Sequence, residues 1–202
     1  MTRFPLLGLS RLRMQTDGAG VTTLVAGAGC PLSCKWCINR RILSEKRAEF
    51  LSPQELFARV RCDDLYFRAT GGGVTFGGGE PLLHAAFLAE FRALCPDWRL
   101  TVETSLNVAP ELLAQCEKAV DEFIVDIKDW DETVYYAYTG HSGAQARENL
   151  RRLLMNCPAK VHVRVPLIPQ FNTPEQQSAS AAALGALGAE NIELFSYVLR
   201  EK

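Results

Sequence analysis

The sequence predicts an α/β fold in which six parallel strands form a partial, TIM-like (β/α)6 barrel, with the sheet open on one side. Six apolar, β-branched runs recur along the 202 residues, and segments of helical length lie between them. Strictly alternating strands and helices are typical of a parallel sheet. Six units are too few for the usual closed barrel of about 250 residues with eight strands.

The strands are expected to be nearly continuous apolar runs, because a parallel sheet is covered on both faces. They are VTTLVAG from Val21, GVTFGG from Gly73, RLTVET from Arg99, EFIVDIK from Glu122, KVHVRVPLI from Lys160 and IELFSY from Ile192.

The first predicted helix begins at Ser52. Its hydroxyl can cap the helix, Pro53 suits the first helical position, and Glu55 can reach back to the cap. Four more helical segments follow: HAAFLAEFRALC, PELLAQCEKAV, AQARENLRRLLM and TPEQQSASAAALGAL. No linker, repeat or charge block divides the chain, so we expect a single domain over residues 1–202.

Composition restricts the possible partners. The chain is 48% hydrophobic and carries 22 basic against 23 acidic residues, a net charge of -1. No bulk field would attract nucleic acid or a membrane surface. There is no apolar run of about 18 residues and no apolar region of signal-peptide length at the start. We therefore expect a cytoplasmic monomer that binds neither nucleic acid nor membranes.

Three of the seven cysteines lie close together after the first predicted strand. Cys30, Cys34 and Cys37 have the spacing C-x3-C-x2-C. Structural zinc needs four ligands, and no second pair of cysteines lies nearby. Three thiolates can instead hold three irons of a [4Fe-4S] cluster, leaving the fourth iron for a ligand that is not protein. The other cysteines are isolated and are expected to be structural, three of them on helices: Cys62, Cys95, Cys116 and Cys157.

A glycine-rich turn follows the second predicted strand. Gly78 and Gly79 would let the backbone approach a ligand closely, and Glu80 can accept hydrogen bonds from an ammonium group. The alternative is an ordinary glycine-rich turn with a solvated glutamate. Because parallel sheets carry their chemistry at the carboxyl ends of the strands, this turn and the cysteines are expected at the same end of the sheet.

Four segments in order resemble one family. They are TDGAGVTTLVAGAGCPLSCKWCIN at 16–39, GGGVTFGGGEPLL at 71–83, VETS at 102–105 and VDIKDWDETVYYAYTG at 125–140. Together they resemble the radical S-adenosylmethionine (radical SAM) superfamily. Within it they resemble the pyruvate formate-lyase activating enzymes and related activases of glycyl radical enzymes.

The resemblance implies an anaerobic oxidoreductase. In this family S-adenosylmethionine chelates the open iron of the cluster and is cleaved by an electron from it. The resulting radical removes hydrogen from a glycine of a larger glycyl radical enzyme. A flavodoxin- or ferredoxin-type protein is the expected reductant. Such chemistry belongs to the cofactors, while the protein orients them.

The resemblance also assigns roles by position. Cys30, Cys34 and Cys37 would bind a single cluster, and the backbone at Trp36 would lie beside the adenine. The other implied cofactor contacts are Gly78, Gly79 and Glu80 with the methionyl amino group, Glu103, Thr104 and Ser105 with the ribose or methionyl part, and Asp126 and Lys128 at the end of the fourth strand. Glu103, Asp126 and Lys128 would also help to hold a possible monovalent cation beside the carboxylate. Lys128 would also belong to the catalytic set. Arg164 would bind the carboxylate, or would be an ordinary surface arginine at a strand end.

Three positions depart from the family pattern, and two other functions stay open. Glu103 stands where aspartate is common, while Ile38 and Val198 stand where many members have histidine. One alternative is a radical SAM enzyme that modifies another peptide, a nucleotide or a small molecule. The other is an iron-sulfur electron carrier or a structural metal module, although a carrier needs four cysteines for each cluster.

Overall fold

The structure, a computed structural model, describes residues 2–14, 16–44 and 47–198. The strands are β1 Phe4–Met14, β2 Val21–Gly27, β3 Glu49–Leu51, β4 Gly73–Gly78, β5 Arg99–Thr104, β6 Glu122–Asp126, β7 Val161–Leu167 and β8 Ile192–Ser196. The helices are α1 Arg40–Ser44, α2 Pro53–Val60, α3 Asp64–Thr70, α4 Ala85–Arg92, α5 Pro110–Cys116, α6 Glu132–Thr139, α7 Ala144–Asn156 and α8 Pro174–Ala186.

The predicted α/β fold is confirmed. All six expected strands are present as β2 and β4 to β8, and the sheet has the order β3-β1-β2-β4-β5-β6-β7-β8. The pairs β2–β4, β4–β5 and β7–β8 are parallel. The order ends at β3 and β8, so the sheet is open. The five predicted helices are present as α2, α4, α5, α7 and α8.

The prediction of six strands was incomplete, because β1 and β3 pair antiparallel at one edge of the sheet. Only the start of β1 is buried, and the rest carries exposed and half-buried residues with two irregularities in its pairing with β2. Edge strands do not need the continuous apolar run of a central strand. The three residues of β3 are too few to give a pattern.

The chain divides into two compact units. The first comprises Met1–Cys30, Asn39–Thr104 and Ala109–Ile124, and the second comprises Pro31–Ile38, Ser105–Val108 and Val125–Lys202. The single domain expected over residues 1–202 stays a prediction. Within the described ranges, no helix is long and apolar enough to cross a bilayer.

An aromatic cluster forms part of the core of the first unit. Phe4, Phe76 and Phe91 are fully buried, with ring centroids 5.3 Å apart between Phe4 and Phe76 and 5.4 Å apart between Phe76 and Phe91, both edge to face. Such pairs contribute about 0.5–1.5 kcal/mol beyond their buried area. The cap predicted for α2 is confirmed, since the Ser52 hydroxyl accepts from the Glu55 N–H and the Glu55 carboxylate accepts from the Ser52 N–H.

The second unit contains a buried amide that fixes a strained turn. Leu106 is fully buried and has a positive φ of 57°, which is uncommon for a residue other than glycine. The side-chain amide of the buried Asn149 on α7 donates to the carbonyl oxygens of Leu106 and Val108, each at 2.9 Å. These bonds hold the Ser105–Val108 segment in place.

Candidate functional site

The cysteine loop is fixed by the end of α6. Within the second unit, the Ser33 N–H donates to the Thr139 carbonyl at 2.9 Å and the Lys35 N–H donates to the Tyr138 carbonyl at 3.0 Å. The last carbonyls of a helix have no partner inside it, so they can hold another segment. The YTG segment singled out by the resemblance therefore has a structural role that sequence reasoning missed.

The three cysteines of the motif are thiols rather than disulfides. Cys30 ends the first segment of the first unit and is exposed, while Cys34 and Cys37 lie half-buried in the second unit. Burial raises the pKa of the Cys34 thiol, and the nearby Lys128 ammonium opposes that effect. A cation beside a thiol favours the thiolate, which is the form that binds metal.

Trp36 lies within the cysteine loop and is held by the loop that follows β7. Its indole N–H donates to the Pro169 carbonyl at 3.2 Å, and its ring meets Phe171 edge to face with centroids 6.5 Å apart. Phe171 in turn packs on the buried ring of Tyr138. The aromatic residue before the last cysteine is thus anchored in the second unit.

The glycines before Glu80 are required by contacts within the first unit. The Gly79 N–H donates to the Gly27 carbonyl at 2.9 Å, and the Glu80 N–H donates to the Gly29 carbonyl at 2.7 Å. A Cβ on Gly79 would overlap the Gly29 carbonyl oxygen, and Gly78 has a φ of +88°. Close approach of two backbones therefore explains these glycines whether or not a ligand also lies there.

Glu80 is not a solvated glutamate, so that alternative was wrong. Its side chain is buried, with the residue 2% exposed. One carboxylate oxygen accepts from the Thr104 hydroxyl at 2.7 Å and from the Leu82 N–H at 3.2 Å. Burying a carboxylate is costly and is ordinarily compensated by hydrogen bonds or by a charged partner. Glu80 and Thr104, predicted from separate motifs, are thus brought together.

Glu103 and Ser105, the neighbours of Thr104, belong to different units. Glu103 is half-buried in the first unit, and its carboxylate lies against Gly77. A Cβ added to Gly77 would be only 2.8 Å from that carboxylate. Ser105 is nearly buried in the second unit, and its hydroxyl accepts from the Asn107 N–H at 3.4 Å.

A compact charged cluster lies at the end of β6 in the second unit. One carboxylate oxygen of Asp126 accepts from Lys128 Nζ at 3.0 Å, and the other accepts from Arg164 Nε at 3.0 Å. Lys128 Nζ also donates to the Tyr197 hydroxyl at 3.1 Å. Three predicted site residues are thus joined. Tyr197 was not among them, and only its position after β8 indicated that it could reach the same place.

The pKa shifts in this cluster follow from its charges. Burial alone would raise the pKa of Asp126, but the two cations outweigh it and the pKa is lowered. Burial alone would lower the pKa of Lys128, but Asp126 and then Tyr197 hold it well above its ordinary value. Asp126 and Lys128 are therefore both ionised at neutral pH.

The donor set fits an iron-sulfur cluster better than a single metal ion. Across the described ranges, no three His, Cys, Asp or Glu side chains are grouped to hold one ion. In a [4Fe-4S] cluster held by these residues, each of the three thiolates would bind a different iron. Three thiols on one short loop, with a lysine beside Cys34, have the chemistry that such a cluster needs.

Four cysteines outside the motif were expected to be structural. Cys95 and Cys116 are buried, and burial raises the pKa of each thiol to about 12. Cys157 is half-buried. Cys62, by contrast, is exposed, and its thiol contacts the Arg59 carbonyl at 3.3 Å.

Two solved structures have a similar fold. Streptococcus suis SuiB matches with a TM-score of 0.64 at 15% identity, over 88% of this chain and 40% of that protein. Methylornithine synthase matches with a TM-score of 0.58 at 13% identity, over 85% of this chain and 51% of that protein. Identities this low support the fold alone.

The sequence matches establish the family. The Radical SAM superfamily matches residues 24–179, so the chain belongs to it. The pyruvate formate-lyase-activating enzyme of Clostridium pasteurianum is 29% identical over 186 residues, covering 90% of this chain and 77% of the relative. The (2S)-3-sulfopropanediol dehydratase activating enzyme of Klebsiella oxytoca is 30% identical over 249 residues, covering 90% and 78%. The resemblance inferred from the four motifs is confirmed.

Proposed function

We propose that this chain activates a glycyl radical enzyme by abstracting hydrogen from a glycine of that partner. The observation that carries the proposal is the sequence similarity to activating enzymes over 90% of the chain. Fold similarity does not distinguish this function from other radical SAM reactions. The buried Glu80 in the first unit, and separately the ionised cluster around Asp126 in the second unit, each supply charged groups of the kind that bind a charged ligand.

The residues fit the cofactors expected of the family. Cys30, Cys34 and Cys37 would hold a [4Fe-4S] cluster, and Glu80 would accept from the amino group of S-adenosylmethionine. When bound, these groups supply the reducing electron and the radical chemistry. The chain's own contribution is to fix the cysteine loop through the α6 carbonyls and to supply buried charges of defined orientation.

Asp126, one of the residues expected beside a monovalent cation, already has two cationic side chains as partners. Both oxygens of this carboxylate already accept from cationic groups, Lys128 and Arg164. A cation beside Glu103 is compatible with this arrangement and remains part of the proposal. Thr104 would act on the cofactor indirectly, because its hydroxyl holds the Glu80 carboxylate in place.

The remaining parts of the proposal concern the cellular setting. We propose a flavodoxin- or ferredoxin-type reductant, a monomeric protein and a reducing, oxygen-free cytoplasm, because thiols persist as metal ligands in such a compartment. The partner is the larger glycyl radical enzyme.

Anaerobic reconstitution with iron and sulfide tests the proposal. We expect about four iron atoms per chain. Addition of S-adenosylmethionine, a reductant and candidate glycyl radical enzymes should give the electron paramagnetic resonance signal of a glycyl radical. The matched control is the Cys34→Ala protein carried through the same procedure. Bound zinc, or a cluster whose irons are all held by protein side chains, would refute the assignment.

A further inference from the structure

Asp129 is a buried carboxylate of the second unit to which the proposed function gives no role. It lies just after β6 and is 1% exposed. One of its carboxylate oxygens accepts from the Ser180 hydroxyl at 3.1 Å and from the Asp131 N–H at 2.9 Å. The other accepts from the side-chain amide of Asn172 at 3.0 Å. Because a buried carboxylate is costly unless hydrogen bonds compensate it, the Asn172 amide is held firmly in this position.

Asn172 closes the loop that follows β7, residues 168–172, which we call the β7 loop. Its amide also donates to the Pro166 carbonyl at 3.0 Å, and its side-chain oxygen accepts from the Ile168 N–H at 2.6 Å. At the tip of the loop, Gln170 has a positive φ of 72°. That conformation is unfavourable for a residue other than glycine and persists only where the surrounding contacts enforce it. The shape of the loop therefore depends on Asn172 and on the buried carboxylate behind it.

The β7 loop is also the segment that holds Trp36. Pro169 accepts the bond from the Trp36 indole N–H, and the Phe171 ring contacts the Trp36 ring. These two residues flank Gln170, so their positions depend on the strained turn keeping its conformation. Trp36 directly precedes Cys37 in the cysteine loop. A continuous series of contacts thus runs within the second unit from the buried carboxylate to the cysteines.

We propose that Asp129 and Asn172 are positioning residues that act through the β7 loop and Trp36. They hold the cysteine loop in the conformation that binds the iron-sulfur cluster and its adenosyl ligand. The inference rests on the proposed function, because it takes the cysteines of the motif to be cluster ligands. A network that only stabilised the second unit would protect all parts of that unit equally. One that positions the cysteine loop protects this loop above the rest.

The first test measures thiol reactivity in metal-free protein, so it does not depend on loading with a cofactor. Wild type and Asn172→Ala are treated with iodoacetamide, and alkylation of each cysteine is followed by peptide mass spectrometry. Cys62 is exposed and serves as the internal reference for the reagent. Cys157, half-buried in the second unit outside the motif, reports a general loosening of that unit. Asn191→Ala is the matched control, because Asn191 is an exposed asparagine of the same unit.

We expect Cys34 and Cys37 to react about fivefold faster in Asn172→Ala, the factor that corresponds to the loss of one ordinary hydrogen bond. Cys62 and Cys157 should react at their wild-type rates. An equal acceleration at Cys157 would show that the network serves only the stability of the unit and would overturn the inference. Unchanged rates at both cysteines of the loop would overturn it as well.

Two further variants test the series of contacts. Asp129→Asn keeps an oxygen but presents an N–H group to the Asn172 amide, so it should accelerate the same two thiols. Trp36→Phe keeps a ring and removes the indole N–H that Pro169 accepts, with the same expected result. In the double variant of Asn172→Ala and Trp36→Phe the two increases should not multiply, because both changes act on one link. Increases that multiply would show that the two residues act independently and would contradict the proposal.

The second test concerns the cofactor. After anaerobic reconstitution, Asn172→Ala should retain its iron but bind S-adenosylmethionine about fivefold more weakly, as measured by equilibrium dialysis. Wild-type affinity in this variant would overturn the positioning role. Failure of the proposed function is read separately, as wild-type protein that binds S-adenosylmethionine but generates no glycyl radical on any candidate partner. The thiol reactivities of the metal-free protein do not depend on that result.

Discussion

Replacing Asp126 by asparagine should destabilise the second unit measurably. The wild-type carboxylate accepts from two cationic donors, each at 3.0 Å. Asparagine keeps one oxygen, so it can retain the bond from Arg164, but it presents N–H groups to Lys128. A hydrogen bond to a charged group contributes about 1.5–3 kcal/mol. Because the side chains are partly exposed, we expect a loss of about 2 kcal/mol, near the lower end of that range.

Thermal unfolding of the reconstituted protein measures this loss. For a domain of about 150–250 residues, 1 kcal/mol corresponds to about 2–4 °C, so the melting temperature should fall by about 4–8 °C. The matched control is Asp97→Asn, which breaks an exposed surface pair with Arg68 and should change the melting temperature little. Equal melting temperatures for the two variants would refute the reasoning.

The same substitution has a predicted pH dependence. The pKa of Asp126 is lowered in the folded state, so its ionisation stabilises the fold fully above the unfolded pKa of about 3.9. That contribution is lost as the pH falls through the folded pKa. The difference between wild type and Asp126→Asn should therefore be constant from pH 7 down to about pH 5 and shrink below about pH 4. A difference that grows on acidification would contradict the assigned ion pairs.

Three further predictions concern the cluster, the cofactor and the fold. Cys34→Ala should lose most of the brown iron-sulfur absorbance. Cys62→Ala removes an exposed thiol outside the motif and should retain that absorbance. Iron analysis of the two variants checks this prediction. Glu80→Gln can keep both described bonds to its side-chain oxygen, so iron content should persist while affinity for S-adenosylmethionine, measured by dialysis, falls about tenfold. Asn149→Ala removes both side-chain amide bonds, but the Leu106 carbonyl keeps its bond from the Val108 N–H at 2.9 Å, so the free energy of unfolding should fall by about 1–3 kcal/mol; an unchanged denaturation midpoint would count against the role assigned to Asn149.

Local features of the fold were predictable because they depend on neighbours a few residues apart. The cap at Ser52 needs only Glu55, three positions away, and it formed as expected. The central strands β2 and β4 to β7 were equally accessible, since burial on both faces requires a continuous apolar run. The strand β8 was also predicted from an apolar run, although it forms an edge of the sheet and its residues are exposed or half-buried. The strand β1 was missed because its place in the sheet, between β3 and β2, depends on pairing with both of them, which no local pattern reveals.

The glycines of the GGGE turn illustrate how one pattern can have two physical causes. The sequence indicated close approach between backbone and ligand. In the structure, the backbone that approaches Gly79 is that of Gly29, which follows another strand. The hydrogen bond that compensates the buried Glu80 carboxylate likewise comes from a distant residue, Thr104, 24 positions along the chain.

By itself, the sequence determined the α/β class, the six strands that form β2 and β4 to β8, the family and the three cysteines with their spacing, because each of these depends on residues within one short segment. Only the tertiary structure decided which charges meet. Asp126 pairs with Arg164 across 38 positions, and Lys128 meets Tyr197 across 69. Because a hydrogen bond requires its two atoms to be about 3 Å apart, such pairs form only where the fold brings distant segments together. The residues that neighbour each partner along the chain do not reveal them.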